Sequence, residues 1–392
     1  MFRLSSYIKM LKSVTPANGA SCHTKQNARK KSPIVIWNLT RYCNLECVHC
    51  YSSSKARNFN NELSTEQTFK VVGDLKRAGV PALILSGGEP LLRDDTLDIA
   101  KRAREVGIIT SLSTNGTQID EQMADRVAEA DFSYVGISLD GMEEIHDRFR
   151  GLKGSFKLAV DGLRRCKERG LKAGTRFTLT KLNIEDLPAI FDFAESEKVD
   201  KLYLSHLVYS GRGQANSAED LEPAETREVM DYVINKAIYY VENEIPIQIV
   251  TGNNDTDGVL LYLHMKEKNP EAAKRLLPML KRAGGNSAGI GISNIDPVGD
   301  VHPDPLTSSI TLGNVAKQSF GDIWFNSNNP VLRRLRQLPR TLNGRCGDCT
   351  WISVCGGNAR VRAQRDTGDF WGSDPACYLS DEEIQVKMAY AI

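Results

Sequence analysis

Three cysteines stand close together near the amino terminus, where their spacing suits metal chemistry. Cys43, Cys47 and Cys50 directly follow a strand-like apolar run at residues 34–40. Three thiolates on one short loop suit an iron–sulfur cluster, and a four-iron cube with three protein ligands keeps one iron open to a small molecule. The spacing therefore predicts a reactive cluster on this loop.

Zinc and disulfides are the alternatives for the same cysteines. Structural zinc sites are closed by four ligands, usually paired cysteines or cysteine with histidine. His49 lies between Cys47 and Cys50 on the same tight loop and would have to fold back onto the metal to complete such a set. The spacing therefore favours a cluster. Nine cysteines in 392 residues are few and odd in number, which disfavours a disulfide framework.

A Gly-Gly-Glu-Pro motif at residues 87–90 ends the next buried strand-like run. In isolation this motif is an ordinary turn. Downstream of the cysteine triad it resembles the radical S-adenosylmethionine (SAM) superfamily, in which this segment holds the amino group of the methionine half of SAM. The resemblance implies cofactor contacts from Ser86, Gly87, Gly88, Glu89 and Pro90.

Polar residues also close the strand-like runs that follow. The resemblance implies that Ser138 and Asp140, supported by Asn115, contact the ribose of SAM, because the carboxyl ends of barrel strands face one mouth. Loop caps are the alternative for Asn115 and Asp140. Arg176 is a cation in an apolar run, and it requires an anionic partner: the SAM carboxylate, a substrate carboxylate or an internal salt bridge.

Four further cysteines lie near the carboxyl terminus, at Cys346, Cys349, Cys355 and Cys377. Four thiolates are enough to complete the coordination of a cluster. The arrangement resembles the SPASM or twitch extension of radical SAM enzymes, which carries an auxiliary [4Fe-4S] cluster. A four-cysteine zinc ribbon is the alternative, although such ribbons more often pair two Cys-x2-Cys knuckles. The cofactors implied are SAM and two [4Fe-4S] clusters.

Strand and helix patterns alternate between the two cysteine sets. Predicted helices cover residues 65–78, 96–105, 121–130, 157–169 and 187–197, and predicted strands lie near Val35, Ile84, Ile109, Val135, Phe177 and Tyr203. This alternation predicts a parallel sheet with right-handed crossovers. Six strands match the partial (β/α)6 radical SAM barrel that the resemblance implies, followed by a C-terminal SPASM/twitch-like iron–sulfur domain.

The chain is long enough for two or more units. We predict an N-terminal polar, basic extension (1–32), the barrel (33–215), a helical and Gly/Asn-rich connecting region (216–335) and the auxiliary cluster domain (336–392). With 50 Lys and Arg against 49 Asp and Glu, the charge predicts no nucleic-acid partner. No membrane span or secretory signal is expected, and a reducing cytoplasm follows for a protein with two clusters.

A closer resemblance links several segments to the NirJ family of haem d1 biosynthesis. The segments are 33–41, 135–141, 146–150, 205–213, 251–255, 355–360 and 374–379. The resemblance implies removal of two propionate side chains from the tetrapyrrole 12,18-didecarboxysiroheme through a 5′-deoxyadenosyl radical, with an electron donor such as ferredoxin or flavodoxin. At residues 305–309 the chain lacks the aromatic cluster of these relatives. A didecarboxysiroheme deacetylase, a SPASM-type peptide-modifying enzyme and a non-catalytic iron–sulfur protein are the alternatives.

A macrocycle with several carboxylates requires cationic and hydrogen-bonding partners at the barrel mouth. His206 and Arg212 are the predicted catalytic residues, with Arg150 and His302 as further candidates for substrate contact. His206 would assist proton transfer or reach the substrate's iron. A satisfied core histidine is the alternative for His206, and a loop arginine the alternative for Arg212.

Overall fold

The computed structural model describes residues 1–13, 32–57 and 59–384 of the chain. Ten strands form one sheet: β1 (Ile34–Asn38), β2 (Ala82–Ser86), β3 (Ile109–Thr114), β4 (Val135–Ser138), β5 (Ala173–Leu179), β6 (Lys201–His206), β7 (Gln248–Gly252), β8 (Ile292–Ile295), β9 (Asp300–His302) and β10 (Gly313–Asn314). Their order across the sheet is β10-β9-β8-β1-β2-β3-β4-β5-β6-β7. Strands β8 and β1 to β7 are parallel, whereas β9 and β10 are antiparallel additions at one edge.

Helices connect these strands. In the barrel half they are α1 (Leu4–Ser13), α2 (Thr65–Arg77), α3 (Thr96–Glu105), α4 (Glu121–Glu129), α5 (Glu143–Arg150), α6 (Ser155–Glu168), α7 (Leu187–Ser196) and α8 (Arg212–Ala215). They continue as α9 (Pro223–Glu242), α10 (Thr256–Lys268), α11 (Pro270–Ala283), α12 (Phe320–Phe325), α13 (Pro330–Leu335), α14 (Gly344–Gly347), α15 (Ile352–Cys355), α16 (Arg360–Thr367) and α17 (Asp381–Ile384). Single 3-10 turns occur at Pro90–Leu92, Ile184–Asp186 and Ser217–Glu219.

Helix α2 illustrates how the sequence specifies these elements. Ser64 and Gln67 form a reciprocal capping box that satisfies two backbone N–H groups at the start of the helix. Val72 and Leu75 are fully buried in the hydrophobic core. Gly79 follows the helix with a φ of 76°, a left-handed conformation that glycine adopts at low cost. The chain then turns directly into β2.

The six predicted strands are confirmed as β1 to β6, but the parallel sheet extends further on both sides. Strand β7 pairs with β6, and β8 pairs with β1. Both were missed because β8 directly follows the Gly/Asn-rich residues 284–291 and β7 runs into another Gly/Asn-rich segment, and both segments resemble loops. The result is an open barrel of eight parallel strands among the described residues.

The first residues of the chain pack into this core. Leu4, Ile8 and Leu11 of α1 are buried, and α1 contacts α9, β7 and α11. Phe2 exchanges two backbone hydrogen bonds with Thr251 of β7, at N–O distances of 2.6 and 2.8 Å. The start of the predicted polar extension is therefore a docked helix, while residues 14–31 lie outside the described residues.

Candidate active site

One cavity opens at the carboxyl ends of the parallel strands, and most of the predicted site residues border it. Its space, counted together with its opening to solvent, is about 1810 Å³. The predicted residues that line it are Cys43, Cys47, Cys50, Ser86, Gly87, Gly88, Asn115, Ser138, Arg150, Arg176, His206 and Arg212. Parallel strands bring these residues together because their carboxyl ends all face the same mouth.

The amino-terminal cysteines lie in a desolvated loop at this cavity. Burial raises the pKa of the Cys43 thiol to about 12, although the backbone N–H of Leu45 donates to its sulfur at 3.4 Å. Burial also raises the pKa of Cys47, whose sulfur accepts a hydrogen bond from Arg150 Nη1 at 3.4 Å. A bound metal ionises a buried thiol, and N–H groups aimed at sulfur are typical of cluster ligands. The loop therefore fits an iron–sulfur cluster.

A buried ion pair supports the cysteine loop from behind. Arg150, at the end of α5, pairs with Asp140, which follows β4. Burial alone would raise the pKa of Asp140, but the Arg150 guanidinium, His49 and the Thr178 backbone N–H together hold the pKa below its usual range. Asp140 Oδ1 also accepts a hydrogen bond from the Thr178 backbone at 2.7 Å, and Oδ2 lies 3.8 Å from His49 Nε2. Asp140 lies behind the cavity wall in this structure and positions Arg150.

The two glycines of the Gly-Gly-Glu-Pro segment lie against the backbone that leads into the cysteine loop. A Cβ atom on Gly87 would lie 2.6 Å from the carbonyl oxygen of Thr40, and one on Gly88 would lie 2.1 Å from that of Tyr42. Gly87 also has a φ of 143°, which L side chains rarely adopt. The glycines thus allow this segment to pack directly on the start of the cysteine loop, with Gly88 N donating to Thr40 O at 2.7 Å.

Glu89 is buried and acts as a hydrogen-bond hub. Its carboxylate accepts from the Leu91 backbone, the Thr114 hydroxyl and the Asn115 backbone at 3.0, 2.7 and 2.7 Å. Burial raises its pKa to about 7 in spite of these three donors. Glu89 caps the turn that begins at Pro90, so this motif ties the ends of β2 and β3 together.

The remaining predicted SAM contacts differ in their surroundings. Asn115 donates to Asn44 Oδ1 at 2.9 Å and accepts from the Thr117 backbone at 2.9 Å, so it caps its own loop and also touches the cysteine loop. Ser138 borders the cavity. Arg176 contacts the Ser113 hydroxyl and lies over the Tyr203 ring, with 5.1 Å from Cζ to the centroid. Within the described residues no carboxylate pairs with Arg176.

The two predicted catalytic residues, Arg212 and His206, differ in how their polar atoms are hydrogen-bonded by the protein. Arg212 uses Nε and Nη1 to bind the carbonyl oxygens of Cys47 and Ser54 at 2.7 and 2.8 Å, while its buried Nη2 has no partner among the described atoms. It therefore secures the cysteine loop. His206 is buried at the end of β6 and binds Asp257 through Nε2, at 3.1 Å from the nearer carboxylate oxygen.

The four carboxyl-terminal cysteines converge at a second centre away from the cavity. The negative charges of Cys346, Cys349 and Cys377 all act to raise the pKa of Cys355, after burial as the main cause. Backbone N–H groups donate to Cys349 and Cys355 at 3.4 and 3.3 Å. Arg360 is almost fully buried beside them, and its Nε and Nη2 have no hydrogen-bond partner among the described atoms. Four thiols beside an unsatisfied cation fit a closed, anionic cluster.

Sequence reasoning missed several residues of this region. Asp257 and Tyr378 contact each other and His206, and Asp304 and Asn253 line the cavity. Asp257 follows the Gly/Asn-rich segment after β7, and Tyr378 follows a cluster cysteine. Neither of these positions in the sequence indicated that Asp257 and Tyr378 would lie beside His206 at the end of β6.

No helix in the described ranges is long and apolar enough to cross a bilayer.

Comparison with known proteins agrees with this geometry. Residues 37–194 match the radical SAM superfamily, and residues 289–350 match SPASM, an iron–sulfur cluster-binding domain. The chain belongs to the radical SAM superfamily and carries a SPASM domain, so it is an enzyme whose cofactors are SAM and two [4Fe-4S] clusters.

The chain is similar to two curated relatives in sequence and to one solved structure in fold. It is 48% identical to the pre-heme d1 synthase of Dinoroseobacter shibae over 386 residues, which cover 98% of this chain and 93% of that protein. It is 43% identical to the Fe-coproporphyrin III synthase of Methanosarcina barkeri, covering 92% of each. Streptococcus suis SuiB bound to S-adenosylmethionine has the same fold, with a TM-score of 0.69 at 19% identity, covering 91% of this chain and 79% of SuiB.

Proposed function

We propose that this enzyme removes two propionate side chains from 12,18-didecarboxysiroheme, as the likeness to haem d1 enzymes implies. The observation that carries the proposal is the composition of the cavity. The cysteine loop, an apolar barrel wall and cationic side chains all border the same space. A tetrapyrrole with carboxylate side chains needs this combination of an apolar surface and positive charge.

The barrel interior supplies the apolar surface. Ile34, Ile36 and Ile84 line the cavity from β1 and β2, and Ile292 lines it from β8. When bound, SAM and its cluster supply a 5′-deoxyadenosyl radical that takes a hydrogen atom from the substrate. The apolar wall excludes water and stray hydrogen donors from that position.

Charged side chains provide the orientation. Arg176 has no carboxylate partner among the described residues and lies at the cavity, so it binds a carboxylate of SAM or of the macrocycle. Arg212 contributes its free Nη2 at the cysteine loop. Ser86, Asn115 and Ser138 offer hydrogen bonds to SAM from the ends of β2, β3 and β4. A one-electron donor such as ferredoxin or flavodoxin is part of the proposal.

Mass spectrometry tests the reaction directly. Reconstituted enzyme is incubated anaerobically with SAM, a reductant and 12,18-didecarboxysiroheme, and loss of the mass of two propionate side chains is expected. A variant with Cys43, Cys47 and Cys50 all changed to Ala is the matched control and should leave the macrocycle intact. Formation of 5′-deoxyadenosine with no change in macrocycle mass would refute the proposed substrate.

Removal of acetate groups is the second candidate. It is favoured by the 43% identity to the Fe-coproporphyrin III synthase, which also extends over most of both chains. The same incubation separates the two reactions, because loss of acetate mass would support the second candidate and contradict the first.

A further inference from the structure

His206 has a fixed partner on one side and the cavity on the other. It ends β6 and borders the cavity, with only 4% of the residue exposed. Its Nε2 lies 3.1 and 3.2 Å from the two carboxylate oxygens of Asp257. Asp257, in the first turn of α10, is itself buried. One ring nitrogen of His206 is thus committed to a carboxylate.

This contact decides the tautomer of a neutral ring. An ionised carboxylate only accepts hydrogen bonds, so Nε2 carries the hydrogen and Nδ1 keeps its lone pair. No group of the described residues hydrogen-bonds Nδ1, and this atom is not among their fully buried atoms without a partner. The lone pair of His206 is therefore available at the cavity.

A tyrosine holds the carboxylate and the ring in place. The Tyr378 hydroxyl donates to Asp257 Oδ1 at 2.7 Å, and the Tyr378 ring stacks near His206 with centroids 6.3 Å apart and planes inclined by 16°. The imidazole is thus oriented both through Nε2 and across its face. Such rigid support exceeds what a core histidine needs to satisfy its hydrogen bonds.

Metal-binding histidines characteristically donate their second ring N–H to a carboxylate, which fixes the tautomer and makes the ligating nitrogen more basic. We propose that Nδ1 of His206 binds the iron of the tetrapyrrole substrate as an axial ligand, with Asp257 and Tyr378 as positioning residues. This inference rests on the proposed function. Coordination would fix the centre of the macrocycle at the end of β6, so the carboxylates at its rim would select which side chain faces SAM.

The other histidines of the described ranges are less suited to this role. His49 also lines the cavity, but it belongs to the cysteine loop, its Nε2 lies 3.8 Å from Asp140, beyond hydrogen-bond distance, and its Nδ1 is fully buried. His146 accepts a backbone hydrogen bond at Nδ1. His302 binds the Ile310 carbonyl at 2.9 Å, and His264 lies on α10 away from the cavity lining.

The experiment compares iron and metal-free forms of one macrocycle. Iron(III) didecarboxysiroheme and its metal-free counterpart are titrated into holoenzyme whose clusters are kept oxidised and diamagnetic. His206→Gln is the informative variant, because a glutamine amide can still donate to Asp257 while the imidazole is lost. We expect this variant to bind the iron form at least ~10-fold more weakly and the metal-free form unchanged. Asp257→Asn should weaken the iron form by about 10-fold.

Magnetic resonance supplies a direct readout. In protein labelled with nitrogen-15 histidine, the iron(III) spin should couple to a histidine nitrogen in wild type and in the matched control His264→Ala. The coupling should vanish in His206→Gln. Added imidazole should restore tight binding to His206→Ala, and an unchanged circular dichroism spectrum and iron content would show that each variant is folded.

The outcomes separate the two proposals. Equal loss of both macrocycle forms in His206→Gln, or a coupling that survives this change, would overturn the axial ligand while leaving the substrate assignment intact. Failure of wild type to bind either form would instead refute the proposed substrate, and the inference with it.

Discussion

The two cysteine sets share a local device but differ in access to the cavity. In both, a backbone N–H two residues after a cysteine donates to its sulfur, as Leu45 does for Cys43 and Gly357 for Cys355. All three amino-terminal cysteines border the cavity, whereas the four carboxyl-terminal cysteines are absent from its lining. Three of the predicted ligands thus lie at a cavity that a small molecule can enter, and the other four lie outside it.

The two centres also neutralise charge differently. Arg150 is shared between Cys47 and Asp140, so its positive charge is largely balanced by the protein itself. At the second centre, buried Arg360 is bound by the Gly372 carbonyl and has two nitrogens without partners among the described atoms. We therefore expect Arg360 to contribute more positive charge to its cysteines than Arg150 contributes to Cys47.

Loss of one amino-terminal ligand should have the largest effect. Cys47→Ala should abolish reductive SAM cleavage, because the cluster that provides the open iron for SAM would be lost. Iron content should fall from about eight to about four atoms per chain. Anaerobic iron analysis and assay of 5′-deoxyadenosine check this, and undiminished cleavage would contradict the assignment of the triad.

The equivalent change at the second centre should separate cleavage from product formation. Cys355→Ala should also remove about four iron atoms per chain but leave SAM cleavage measurable, since the first centre is intact. Product formation from the macrocycle should fall by at least about tenfold. If cleavage disappeared together with product, the two centres would not be independent.

Buried ion pairs offer a comparison of stability. Arg150→Met and Arg362→Met should each lower the free energy of unfolding by roughly 3–5 kcal/mol, because Asp140 and Asp374 would remain buried without the guanidinium that pairs with them. Only Arg150→Met should also shift the potential of the SAM-binding cluster, since Arg150 Nη1 lies 3.4 Å from Cys47 Sγ.

Urea unfolding of the metal-free protein measures the stability, and redox titration measures the potential. Arg102→Met is the control, because its pair with Glu105 is exposed and should contribute less than about 1 kcal/mol. Equal potentials in the Arg150 and Arg362 variants would show that the contact with sulfur has no electrostatic effect.

Acid sensitivity should arise at the amino-terminal centre. His146 is buried, which lowers its pKa to about 4, and its Nδ1 accepts a hydrogen bond from the Asp140 backbone. The pKa of His146 is lower in the folded protein than in the unfolded chain. The contribution of His146 to the free energy of unfolding is therefore fully present above about pH 6.5 and is lost as the pH falls towards 4. The loss from this group should be about 3 kcal/mol.

The test compares the pH dependence of urea unfolding in metal-free wild type and His146→Gln. The variant cannot be protonated, so its stability should fall less steeply between pH 6.5 and 4. Parallel curves would indicate that other groups cause the acid sensitivity.

Much of this molecule was predictable because its signals are local. The spacing of Cys43, Cys47 and Cys50, and the alternation of short apolar strands with amphipathic helices, are readable over a few residues. Helix α10 was missed because buried residues occur around most of its circumference, which removes the usual stripe. The sequence indicated that Gly87 and Gly88 allow a close backbone approach, but not that the approaching backbone is the loop after β1.

Patterns along the chain predicted the two cysteine sets as cluster ligands, the strands β1 to β6 and the motif residues at their ends, because each depends on neighbouring residues. Which of these residues share one cavity, and which buried partners hold them, became visible in the folded chain alone. Asp257 is 51 residues from His206 and 121 from Tyr378. Hydrogen bonds and ion pairs over such separations follow from the packing of the sheet and helices, which no local pattern records.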